Sequence, residues 1–120
     1  MNNLKTKLLS GEIVYGTWCS MSSPSLVNAL GFSGLDYCVL DLEHGMSNFE
    51  TLENMVRSAE VTNMSPIIRT SNSDKQHILK CLETGINNIL IPNISNLEQA
   101  EEVVKYCRYQ PEGSRGISPY

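Results

Sequence analysis

The period of the apolar positions changes repeatedly along the chain, and each change predicts an element. Residues 13–20, IVYGTWCS, are rich in β-branched and aromatic side chains and predict a strand, preceded by a helix that stops at Ser10-Gly11. After Pro24, which suits a first helical turn, SLVNALGFSG has helical apolar spacing and ends at glycine. Residues 35–42, LDYCVLDL, form a continuous apolar run, the pattern of a strand covered on both faces. The next segment predicts a helix capped by Asn48, with Phe49, Leu52, Met55, Val56 and Ala59 on one face. SPIIRT predicts a third strand, SDKQHILKCLETG a helix capped by Ser73 and closed by Gly85, and NNILIPN a fourth strand. A last helix starts at Ser95 or Asn96, with Leu97, Ala100, Val103, Val104 and Cys107 inward.

Strands therefore recur every roughly 20 to 30 residues, each followed by a helix, which is the βαβ signature of a parallel α/β sheet. Two architectures share it: an open doubly wound sheet and a closed (β/α)8 barrel. A whole barrel takes ~250 residues, so 120 residues supply about half of one. The Pro/Gly-containing tail YQPEGSRGISPY, with no closing strand, fits a half-barrel, so residues 1–120 are expected to be a single N-terminal part of a barrel domain. No glycine-rich phosphate loop follows the first strand, which weakens the competing reading of a small open α/β binding or assembly module.

Composition narrows the function classes. A net charge of −4 with scattered Lys and Arg argues against nucleic acid as a partner. No apolar run approaches the ~18 residues of a membrane span and the N-terminus has no signal-peptide core, so a cytoplasmic protein is expected. Cys19, Cys38, Cys81 and Cys107 lie far apart inside apolar patterns, as reduced thiols acting as small hydrophobes do.

In both architectures chemistry gathers where strands run out into loops toward the helices. That rim receives Trp18 to Ser20 after the first strand, Asp41, Glu43 and His44 after the second, Arg69 after the third and Pro92-Asn93 after the fourth. A carboxylate after a strand also serves as a helix cap, so Asp41 and Glu43 have a structural reading beside the functional one. His44 is well placed for acid/base work, whereas His77 falls mid-helix on an expected solvated face. Arg69 ends an apolar strand and needs a buried partner or a ligand anion. Trp18 suits packing or a substrate wall.

Five blocks in fixed order, GTWCSMSSP, GLDYCVLDLEHG, PIIRTSNSD, CLETGINNILIPNISNLEQAEEVVKYCRY and PEGSRG, resemble the HpcH/HpaI family of metal-dependent, class II pyruvate aldolases. The resemblance implies a (β/α)8 TIM barrel of the phosphoenolpyruvate/pyruvate type, here its first four βα units, in a homo-oligomer. It implies a carbon-carbon lyase that cleaves 4-hydroxy-2-oxo acids to pyruvate, or a related oxo acid, and an aldehyde. Residue by residue it makes His44 the acid/base, Asp41 its neighbour in the pocket, and Arg69 the holder of the oxo acid and enolate oxygen. Glu83 stands where the family has an aspartate that tunes the histidine, and Arg115-Gly116 match an Arg-Gly turn. The implied cofactor is a divalent metal (Mg2+, Mn2+ or Co2+), whose carboxylate ligands are expected beyond residue 120.

These residue types suit the reaction. Breaking the C3–C4 bond requires removal of the hydroxyl proton and stabilisation of the departing enolate. An imidazole suits the first task and a fixed guanidinium with a Lewis acid the second. No Schiff-base lysine is required, and Lys80 and Lys105 fall on helices.

Overall fold

The computed structural model describes residues 4–118; the first three residues and the final Pro119-Tyr120 of the tail lie outside the described residues. The elements run α1 (Leu4–Leu9), β1 (Gly16–Cys19), α2 (Pro24–Phe32), β2 (Tyr37–Asp41), α3 (Phe49–Glu60), β3 (Ser65–Arg69), α4 (Lys75–Glu83), β4 (Ile89–Leu90) and α5 (Leu97–Cys107). All three strand pairs are parallel and the order is β1-β2-β3-β4. A doubly wound sheet reverses its order at a switch point; this sheet never does, so its crossovers all run one way, as in a barrel.

The core forms between the sheet and its helices. Cys19, Cys38, Leu40 and Ile68 on one sheet face meet Val27 of α2, Leu52, Met55, Val56 and Ala59 of α3, and Ile78 and Cys81 of α4. The period-2 register then aims the alternate set, Trp18, Val39, Ile67 and Leu90, at the opposite face, and none of these four belongs to the core cluster. Trp18 is 54% exposed and Leu90 38%, as expected for a face and two edges that want further partners.

Local chemistry accounts for the element ends. Ser23, Asn48 and Asn96 each accept an N–H from the first turn of α2, α3 and α5. In α4 the cap is Asp74 and not the expected Ser73: its carboxylate takes the N–H of both Gln76 and His77, and an anion also complements the helix dipole. Gly85 closes α4 at φ +91°, in the left-handed region. Both outer strands are shorter than their apolar runs. β1 starts at Gly16 because its one partner, β2, starts at Tyr37. β4 stops at Leu90, just before Pro92, which has no N–H for a ladder. Of the residues expected inward on α5, Val103 is buried but Leu97 is 73% and Val104 46% exposed, since α5 has a helical neighbour on only one side.

All four cysteines are free thiols, three of them buried. Burial pushes Cys38 and Cys81 up to about 12, so these thiols are inert at neutral pH. None of the helices among the described residues is long and apolar enough to cross a membrane.

Two outcomes follow for the 120-residue chain. Ile68, fully buried between sheet and helices, should cost about 2–5 kcal/mol on truncation to alanine, measured by urea unfolding. The face away from the core cluster should make the chain associate with rising concentration in sedimentation velocity, and Leu90→Lys, a charge at the β4 edge, should weaken that association without lowering the melting temperature.

Candidate active site

The rim is assembled around one strand register. Asp41 and Arg69 are directly paired across β2 and β3, so both side chains leave the ends of adjacent strands on the same face. Arg69 Nε donates to Asp41 Oδ1 at 2.9 Å and Nη2 to Asp41 Oδ2 at 2.6 Å, a two-point, in-plane pairing that only a guanidinium can make. Nη1 lies 3.0 Å from Glu43 Oε2, and the guanidinium carbon sits 4.5 Å from the centre of the Trp18 ring. The arginine is therefore held at three nitrogens and on one face.

The loop after β2 folds onto the same carboxylate. Asp41 Oδ1 also accepts the backbone N–H of Glu43 at 2.9 Å and of His44 at 3.3 Å. The Arg69 bonds hold the Asp41 carboxyl below the usual carboxylate range against the opposing effect of burial, with the two loop N–H groups adding to the effect. Gly45 completes the turn because the backbone passes too close for a side chain: a Cβ there would stand 2.1 Å from the carbonyl oxygen of Asp41 and 3.0 Å from that of Ser20.

His44 is exposed at the tip of this loop, and among the described residues its ring makes no hydrogen bond, so it is free to meet a ligand. Glu83 stands elsewhere. It ends α4, and the C-terminal ends of the helices lie at the opposite end of a parallel sheet from the rim. There it accepts from Arg115 Nη2 at 3.0 Å, while Arg115 stacks on Tyr109 at 4.6 Å. Within this chain the expected Glu83–His44 pairing is not formed, and Arg115 is a partner of Glu83 besides shaping its turn.

One other residue departs from the sequence reading. His77 is half-buried, not on a solvated face. Its Nε2 accepts the Ser71 N–H at 3.3 Å and its ring lies 5.5 Å from that of Phe49; burial lowers its pKa. Asn93 donates from Nδ2 to Glu43 Oε1 at 3.4 Å. The sequence places Asn93 on the rim after the fourth strand, but no local signal marks its bond to Glu43.

A metal would need oxygen or nitrogen donors with free lone pairs. Asp41 Oδ1 is filled by Arg69 and two loop N–H groups, whereas Asp41 Oδ2 and the two Glu43 oxygens each take one bond, from Arg69 or Asn93, and keep a lone pair. Among the described residues no group of three or more His, Cys, Asp or Glu side chains could hold a metal ion. The described residues do not by themselves form a metal site.

Residues 14–119 match the family model HpcH/HpaI aldolase/citrate lyase. The chain belongs to this family. Among HpcH/HpaI relatives, it is 32% identical over 117 residues to the hydroxypyruvate/pyruvate aldolase of Roseobacter denitrificans and 34% to the 5-keto-4-deoxy-D-glucarate aldolase of an Enterobacter species, covering 98% of this chain and 46% of each relative. Among solved structures, citrate synthase SbnG superposes with a TM-score of 0.91 at 35% identity, over 99% of this chain and 49% of that one. The HpcH/HpaI aldolase from Desulfitobacterium hafniense superposes with a TM-score of 0.86 at 31% identity, over 96% and 45%. The chain thus spans about half the length of the relatives it matches, and its four parallel βα units are those of the family's TIM barrel.

The pairing has a measurable signature. Asp41 has a depressed pKa in the folded state, so its contribution to stability is present above the unfolded value near ~3.9 and is lost as pH falls through the folded value. Arg69→Leu removes the largest cause of the depression, and the acid limb of the melting-temperature profile should then move to higher pH. Gly45→Ala should cost about 1–3 kcal/mol and disturb the amide signals of Glu43 and His44, read by melting and NMR.

Proposed function

We propose that this chain supplies half of the catalytic rim of a class II 2-oxo-acid aldolase, which cleaves a 4-hydroxy-2-oxo acid to pyruvate, or a related oxo acid, and an aldehyde. The observation that carries the reading is the guanidinium of Arg69, fixed on Asp41, Glu43 and Trp18 at the strand ends beside a free imidazole. Residues 1–120 are the N-terminal part of one barrel domain in this reading. In this reading the family's divalent metal, Mg2+, Mn2+ or Co2+, takes its carboxylate ligands from outside residues 4–118, since no group of three or more His, Cys, Asp or Glu among the described residues could hold it.

The division of labour follows from the side chains. Nη1 and Nη2 of Arg69 each carry a second N–H, and these are suited to the carboxylate of a 2-oxo acid and to the oxygen on which enolate charge develops. Asp41 fixes the orientation of the planar fork, so little reorganisation accompanies the charge build-up. Trp18 walls the guanidinium face and excludes water from it. His44 takes the proton of the C4 hydroxyl as the C3–C4 electrons pass into the enolate, and returns one to the pyruvate carbon for product release. Glu83, paired with Arg115, has no place in this division of labour within one chain.

The test uses a chain completed by the C-terminal half of a relative, with pyruvate release followed by coupling to lactate dehydrogenase. Metal-dependent cleavage, abolished by EDTA, is expected, and the 120 residues alone should give none. In the completed protein Arg69→Ala should raise KM and lower kcat on the order of 10²-fold, while His44→Ala should lower kcat by roughly 10²–10⁴-fold with KM near that of the parent. Cleavage indifferent to both changes would overturn the site assignment.

A further inference from the structure

Glu43 reaches Arg69 only with one oxygen; the other is held from across the rim. Asn93 Nδ2 donates to Glu43 Oε1 at 3.4 Å, while Oε2 of the same carboxylate lies 3.0 Å from Arg69 Nη1. Asn93 adopts φ +61°, one of two non-glycine residues among those described with positive φ. That conformation strains most side chains and is tolerated by Asn and Asp. The backbone leading to it is anchored, because Thr70, the residue after Arg69, donates its N–H to the carbonyl of Leu90 at 3.0 Å. The end of β4 is thereby tied to the end of β3, and the turn after Pro92 brings the amide over Glu43.

We propose that Asn93 is a positioning residue: through Glu43 it sets the orientation of the Arg69 guanidinium, so that the turn after β4 takes part in shaping the rim. A Glu side chain has three rotatable bonds, and a single ion pair on an accessible surface does not fix them. A second bond on the other oxygen does, and the fixed carboxylate then defines which way Nη1 points. Asp41 sets the plane of the fork from one edge; Asn93 and Glu43 set it from the other. The consequence for oxo-acid binding rests on the role proposed for Arg69 above. The ordering of the guanidinium does not, and it can be measured without any turnover.

The backbone at position 93 offers a clean separation of its two roles. Asn93→Gly keeps the left-handed turn, which glycine adopts readily, and removes only the amide. Asn93→Asp also tolerates the turn but sets a carboxylate against Glu43. The readout is rotation of the Arg69 guanidinium about its Cζ–Nε bond, from ¹⁵N exchange NMR on the chain itself. Asn93→Gly should speed the rotation by about two- to tenfold, the scale of one hydrogen bond, with Asn93→Asp at least as large an effect and the melting temperature of Asn93→Gly close to that of the parent. In a Glu43→Gln background Asn93→Gly should have far less effect, because the two act in series. Unchanged rotation in Asn93→Gly, or full additivity with Glu43→Gln, would overturn the proposal. A failure of aldol cleavage in the completed enzyme would leave these measurements as they stand and would count against the proposed function alone.

Discussion

The two-point pairing of Arg69 with Asp41 is the interaction on which the rest of the rim depends. It joins the ends of the two inner strands, which are in direct register, and it places a charge pair where the sheet opens to ligand. Because Asp41 is almost wholly buried, its carboxylate would be costly without a partner; because Arg69 is there, the carboxylate remains ionised and can also take the N–H groups of Glu43 and His44. One carboxylate thus neutralises the arginine, orients it and folds the loop that presents the imidazole. Glu43 and Trp18 are secondary supports on the remaining nitrogen and the exposed face.

Much of this was legible in the sequence, for identifiable reasons. Continuous apolar runs such as YCVLD and SPIIR mark inner strands, and Asp41, His44 and Arg69 fall at the rim whichever α/β architecture is assumed, because that placement needs only the strand ends. The capping of α3 by Asn48 follows from local chemistry alone. What a sequence does not carry is register across elements that are distant along the chain. The Asn93–Glu43 bond spans 50 residues, and nothing local to either position announces it. His77 was misplaced for a related reason: its helix face looks polar in sequence, but Phe49 from α3 closes over it. The edge strands came out shorter than their apolar runs because a ladder needs a partner, a property of the neighbour and not of the strand.

The sheet face away from the core cluster and the charged rim belong to one side of the sheet. Val39, Ile67 and Leu90 lie outside the core cluster, on the sheet face that also carries Asp41 and Arg69, and the rim carboxylates are paired with that arginine. Family membership explains both observations, since the relatives extend to about twice the span matched here and close the sheet into a barrel. The geometry of Arg69 is already set within these four βα units.

The sequential strand order also bears on how the molecule comes apart. In a β1-β2-β3-β4 sheet each unit rests chiefly on its immediate neighbours, so cohesion is additive along the row, as in a stack of repeats. The outermost strands, one pairing over four residues and the other over two, are the loosest members. Opening should begin at those margins and travel inward, β4 first, leaving β2 and β3 with the buried ion pair as the last native fragment. The buried Asp41–Arg69 pair then sits in the most persistent part of the chain, while opening at the margins first releases the supports that Trp18 and Asn93 supply.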